Sequence, residues 1–142
     1  MPVEGWGGDA FGVEFTKHRV PPGLRAPAPP FYSHAVEVTA PERWLYISGQ
    51  VGQRPDGSAG ADIAEQTAIA VENLQRILAG AGMGVEDLVK LTIHLTEAAS
   101  LGGFAPPAAA LLGQPPAAVT LLIVKGLADP RLLIEIEAVA AK

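Results

Sequence analysis

Glu135 and Glu137 stand two residues apart in the run Leu133-Ile-Glu-Ile-Glu-Ala-Val139. On a strand that spacing sends both carboxylates out of one face, about 7 Å apart. Two carboxylates so placed suit paired acid–base work; alternatively, either one pairs with Arg43, Lys90, Lys125 or Arg131. Ser48 comes just before Gly49 at the end of another β-rich run, where its hydroxyl and the neighbouring amides can take a ligand oxygen or simply satisfy a turn. Tyr32 closes a proline-rich stretch and offers an aromatic face and a hydroxyl, to a ligand or to an ordinary interface. His94 shares a strand face with Thr92 and Thr96, His34 follows Tyr32, and His18 lies further upstream. An imidazole can act as a base near neutral pH, although a lone histidine is usually structural.

Other chemistries lack their residues. The three histidines show neither HxH nor HExxH spacing, and the chain has no cysteine, which removes thiolate metal sites, disulfides and thiol nucleophiles. No metal and no cofactor are expected. Gly80, Gly82 and Gly84 follow a helix instead of joining a strand to one, so they form no dinucleotide loop, and there is no Gly-x-Ser-x-Gly elbow. Ten Lys and Arg against 15 Asp and Glu give a net charge of −5, which opposes general nucleic-acid binding. No apolar run approaches the roughly 18 residues of a membrane span, and the first twenty residues do not resemble an export signal. A soluble, cytoplasmic protein with no membrane partner is expected.

The elements that must position these residues can be read from periodicity. At 142 residues and 49% hydrophobic, the chain has the size of one domain with a sizeable core. Residues 1–30 read as an N-terminal extension: glycine-punctuated with apolar Trp6, Phe11, Val13 and Phe15, then an extended arm, Pro21 to Pro30, with five prolines in ten positions. Residues 31–142 carry the domain. His34–Thr39 and Arg43–Ser48 read as two strands of a β-hairpin about Ala40-Pro41-Glu42. Arg54-Pro-Asp-Gly57 reads as a turn. Asp62 caps a helix over 62–79, with Ile63, Thr67, Ala70, Leu74, Ile77 and Leu78 as its buried stripe and Gly80 as its stop. Leu88–Thr96 reads as a strand, Pro106–Leu112 as a short helix with its prolines in the first turn, and Val119–Val124 and Leu132–Val139 as two final strands. The fold class is α+β in the order β-β-α-β-α-β-β, one sheet with both helices on one face. The other face stays uncovered, which points to self-association.

Three stretches, in order, resemble the RidA/YjgF family: Tyr32-Ser-His-Ala-Val36, Ile47-Ser-Gly-Gln-Val51 and Leu133-Ile-Glu-Ile-Glu-Ala-Val-Ala140. Gln66, Glu72-Asn-Leu74, Ala79-Gly-Ala-Gly82 and Asp87-Leu-Val-Lys-Leu-Thr92 fall between them at family spacing, so the resemblance covers roughly residues 31–141. It implies a chorismate-mutase-like fold, a homotrimer, and clefts between subunits that bind small carbonyl or carboxylate compounds. Many such proteins hydrolyse enamines and imines to ketones and ammonia.

Carried over position by position, the resemblance makes Glu135 the residue that orients and deprotonates water, with Tyr32, Ser48 and Gly49 positioning the substrate. The family's carboxylate-binding arginine has no counterpart. The stretch is Ala117-Ala-Val-Thr120, with Val119 at the arginine's place, or Ala118 if the match slides by one; Ala105 stands where the family's second helix carries asparagine. The resemblance therefore implies a hydrolase of a small enamine, imine or related electrophilic carbonyl compound that differs from a standard 2-imino-acid deaminase. The other reading is a non-catalytic trimeric small-molecule binding or regulatory protein. Ribonuclease activity fits poorly with the acidic balance and the absent arginine.

Overall fold

In the computed structural model, residues 14–27 and 31–142 are described; Trp6, Phe11, Val13 and Ala28 to Pro30 lie outside them. Alternation builds the sheet. Leu91, Ile93 and Leu95 on β4 (Leu88–Leu95) and Ile134, Ile136, Ala138 and Ala140 on β6 (Ile134–Ala141) are buried at every second position, so each strand turns one apolar face to the core. β6 lies antiparallel to β4 on one side and to β3 (Trp44–Val51) on the other, and β4 runs parallel to β5 (Ala118–Ile123), giving the order β3-β6-β4-β5. A parallel pair requires a crossover, which includes α2 (Leu101–Ala108). Helix α1 (Ile63–Gly80) sets Ala70, Leu74 and Leu78 into the same core as Ile47, Leu91 and Ile136. Both helices cover one sheet face, as the sequence predicts.

The first helix begins where expected: Asp62 is its N-cap and accepts from the Glu65 amide at 2.9 Å. Gln66 and Val71 join the buried stripe, while Ile63 and Ile77 are only half-buried. The helix ends at Gly80, but the left-handed residue that closes it lies two residues further on. Gly80 is still helical and Gly82 takes the left-handed conformation, φ +73°. Its amide donates to Ala79 O at 3.0 Å and the Met83 amide to Leu78 O at 2.8 Å, the paired bonds of a Schellman motif. A side chain at position 82 would meet nothing nearer than Arg43, at 3.9 Å, so Gly82→Ala tests backbone strain alone. We expect a loss of about 1–2 kcal/mol, seen as a lower urea midpoint with unchanged slope; an unchanged midpoint would contradict this cap assignment.

Three expectations are corrected. β2 (Ala35–Thr39) does not form a hairpin with β3. It pairs antiparallel with β1 (Glu14–His18), Phe15 opposite Val38 and Lys17 opposite Val36. The two strands half-bury the same alternate positions, so they match, and a bridge from Ser33 to Ala118 places the ribbon beside β5 while β3 takes the opposite edge against β6.

The second helix spans Leu101–Ala108, with Pro106 and Pro107 in its last turn and a 3₁₀ turn following over Ala109–Leu111. Gly102 and Gly103 look like helix breakers, yet a side chain at Gly103 would reach Ile63 at 2.6 Å; the glycine lets α2 approach α1 closely.

The described part of the arm is not uniformly extended. Pro21 to Leu24 make a turn, with the Leu24 amide on Pro21 O at 3.2 Å and Gly23 at φ +87°.

Candidate functional site

The residues singled out from the sequence fall into two groups on opposite faces of the sheet. On the uncovered face, β6 alternation turns Glu135 away from the core between buried Ile134 and Ile136. Opposite it, β3 advances three residues, Ile47 to Gln50, while β6 moves two, so Ser48 and Gly49 together face Glu137 in a bulge. The bulge brings the Gly49 backbone against the Glu135 carboxylate. A Cβ at position 49 would overlap that carboxylate, so the contact exists because the residue is glycine. Ser48 is exposed beside it.

Among the described residues neither Glu135 nor Glu137 has an ion pair or a side-chain hydrogen bond. Three of the four candidate cations are engaged elsewhere: Arg131 with Asp129 at 2.8 Å, Arg43 with Ala81 O at 2.8 Å and Lys90 with Thr120 Oγ1 at 2.7 Å. The Arg131 guanidinium, by hydrogen bonding, holds the Asp129 carboxyl down to about 2. Across the sheet from Glu135 stands His94. Its Nδ1 is shut off from solvent without a hydrogen-bond partner among the described residues. The same face exposes a stacked aromatic pair, Trp44 and Tyr46, with ring centroids 6.4 Å apart and Tyr46 75% exposed.

On the helix-covered side, Tyr32 and Val119 meet in a pocket of about 410 Å³ between α2, β4, β5 and the arm. Ala105 lines it, together with Phe31, Phe104 and Leu112. The walls are apolar; Arg25 and Tyr32 are the residues of polar type among those that line it.

Buried Ser33 fixes this corner. Its amide donates to Ala117 O at 2.9 Å and its hydroxyl to Pro116 O at 2.6 Å, which ties the residue after Tyr32 to the start of β5. His34 stands edge-on to Tyr32, centroids 5.4 Å apart, and donates from Nε2 to Arg25 O at 2.7 Å. It supports the pocket and does not line it. His18 pairs with Glu37 at 3.3 Å on the β1–β2 ribbon.

Sequence reading met Gln66 and Ser33 only as motif residues and gave neither a role. Gln66 is a polar residue within the apolar stripe of α1, which was the available signal. Its amide nitrogen donates to Gly60 O at 3.1 Å and Arg131 O at 2.9 Å, and its oxygen accepts from the Leu133 amide at 2.8 Å. One buried side chain therefore fixes the entry to β6, two residues before Glu135. No group of three metal-ligating side chains occurs among the described residues, and no described helix is long and apolar enough to cross a membrane.

An α+β domain with a single helix-covered sheet face, an apolar pocket and a carboxylate held over a bulge defines the class of small chorismate-mutase-like proteins. Residues 24–142 match the family model described as endoribonuclease L-PSP, and the chain belongs to this family, the RidA/YjgF family of the sequence resemblance. It is similar to the solved structure of YyfB from Yersinia pestis, described as a protein of unknown function of the conserved Rid protein family: TM-score 0.76 and 37% identity, covering 87% of this chain and 96% of that one. It is 40% identical over 53 residues to the RutC family protein YjgH of Escherichia coli, 37% of this chain and 40% of that protein. With a 2-iminobutanoate/2-iminopropanoate deaminase of Mus musculus it shares 37% identity over 73 residues, 50% of this chain and 52% of that protein. The matched stretches thus span about half or less of those two relatives' lengths.

Proposed function

We propose that the protein is a hydrolase of small enamines, imines or related electrophilic carbonyl compounds, working in clefts between the subunits of a homotrimer. The observation that carries the proposal is the Glu135 carboxylate, unpaired among the described residues, lying against the Gly49 backbone. A carboxylate with no internal cation or donor is available to hold a water molecule and take its proton as the water attacks the electrophilic carbon. The Ser48 hydroxyl, on the same bulge, and the Tyr32 hydroxyl orient the polar end of the substrate. An enamine reacts as its imine tautomer; the proton taken by Glu135 passes to the substrate nitrogen, and the carbinolamine so formed loses ammonia to leave the ketone.

Tyr32 and Val119 open to one face of the sheet and Ser48, Gly49 and Glu135 to the other, so one copy alone supplies two separate halves. Apposition of copies joins them, and the exposed Trp44–Tyr46 pair gives the uncovered face a surface suited to burial. The deaminase name of the mouse relative is consistent with this chemistry.

The test has two readings from one preparation. Light scattering at micromolar concentration is expected to give three times the chain mass, and ammonia release from a panel of enamines and imines is expected to exceed the uncatalysed rate for at least one member. A monomer would remove the shared cleft. A trimer without turnover across the panel would instead support the binding-protein reading.

A further inference from the structure

We infer that His94 holds the attacking water from the side opposite Glu135: the imidazole donates its Nε2 proton to the water oxygen while the carboxylate accepts from the water. The inference rests on the hydrolase reading and deepens it by adding a water-positioning residue to the Glu135 centre.

Register places the two side chains together. His94 on β4 is directly opposite Glu135 on β6, while Ile93 with Ile136 and Leu95 with Ile134, the pairs on either side, are buried in the core. His94 and Glu135 therefore leave the uncovered face as half-buried neighbours, and opposed residues of antiparallel strands have Cβ atoms about 4.5–5.5 Å apart. They nevertheless form no ion pair among the described residues. Two polar groups side by side but out of direct contact are the setting in which one water bridges them. On the other side of His94, β5 offers only the hydrocarbon of Leu122, and the next pair along the face is Thr92 with Glu137.

The burial of the ring fixes which nitrogen is the donor. Nδ1 is shut off from solvent and meets no hydrogen-bond partner among the described residues; Nε2 is not closed off in this way. A buried N–H without an acceptor is the rarer and costlier orphan, so the neutral ring carries its proton on Nε2 and leaves a lone pair at Nδ1. Water held between this donor and the Glu135 carboxylate keeps one lone pair for the electrophilic carbon. Its oxygen forms the new C–O bond, and Glu135 passes the water's two protons in turn to the substrate nitrogen. The C–N bond then breaks, ammonia leaves, and the oxygen that His94 held becomes the ketone carbonyl.

The test measures ammonia release by wild type, His94→Phe and His94→Gln, alone and combined with Glu135→Gln, on the imine that the wild type turns over best. Phenylalanine keeps the bulk of the ring without the donor; kcat is expected to fall about ten- to a hundred-fold, with KM within about three-fold of wild type. Glutamine restores an N–H and is expected to recover most of that loss. Within the Glu135→Gln protein, His94→Phe is expected to cost less than about two-fold, because both residues serve one water. Wild-type kcat in His94→Phe, equal losses in the two His94 variants, or losses that multiply in the double variant would each overturn the inference. Failure of the hydrolase reading shows differently, as a wild type that releases no ammonia, and the ring then decides. Nitrogen-15 spectra are expected to show His94 as the Nε2–H tautomer, with ring resonances that move in Glu135→Gln. An Nδ1–H ring, or resonances indifferent to Glu135→Gln, would overturn the assignment.

Discussion

Ammonia release by Glu135→Gln is expected to fall about 10²- to 10⁴-fold, the usual contribution of a positioned general base, with ligand affinity close to wild type. Glutamine keeps the shape of the side chain and its place over the Gly49 backbone, so binding surfaces are preserved. It cannot accept a proton from water. The carboxylate makes no salt bridge within the described residues, so its neutralisation strands no partner and the fold should not weaken. Steady-state rates with the best member of the panel, beside calorimetry with its ketone product, separate the two effects. Equal turnover in the variant and the wild type would remove Glu135 from the chemistry.

The second large effect is structural. Gln66→Leu is close in volume but leaves the Gly60 and Arg131 carbonyls and the Leu133 amide without their partner. Each buried backbone group stranded in this way costs about 1–3 kcal/mol, less where water can enter beside exposed Arg131, so a total of about 2–4 kcal/mol is expected. For a chain of this size that corresponds to a melting temperature lower by about 6–12 °C. Calorimetric melting checks it. A variant that melts with the wild type would show that the amide is not the clamp described. Activity should fall more than stability alone accounts for, because the strand entry held by Gln66 is what aims Glu135.

How much of this was legible in the sequence depended on how local each determinant is. α1 was readable because Asp62, the apolar stripe and the following glycines all lie within twenty residues and agree with one another. β4 and β6 announced themselves by alternation over Leu91–Leu95 and Ile134–Ala138. The pairing of β2 was misread because sequence adjacency favours a hairpin, whereas its true partner, β1, is a five-residue strand separated from it by the proline arm. α2 was misplaced because Gly102 and Gly103 have poor helix propensity, and only the close approach of Gly103 to Ile63 explains why a helix packs there; tertiary packing overrode propensity.

The site was legible in part and for the same reason. Glu135 and Ser48-Gly49 could be named from type and position, but the bulge that joins them is a matter of register between strands distant in sequence. Tyr32 and Val119 were named together with them, yet they open to the other face.

The central claim is that each catalytic cleft draws Glu135 from one copy and the Tyr32–Val119 pocket from another. Glu135→Gln and Val119→Glu, which places a repelling charge in the pocket, are each expected to be inactive alone. Unfolded together in equal amounts and refolded, they should recover about a quarter of wild-type ammonia release, because random assembly in a closed ring pairs two intact halves at one site in four. Mass spectrometry of the refolded species establishes that mixed assemblies form. Mixed assemblies as inactive as their parents would contradict the claim.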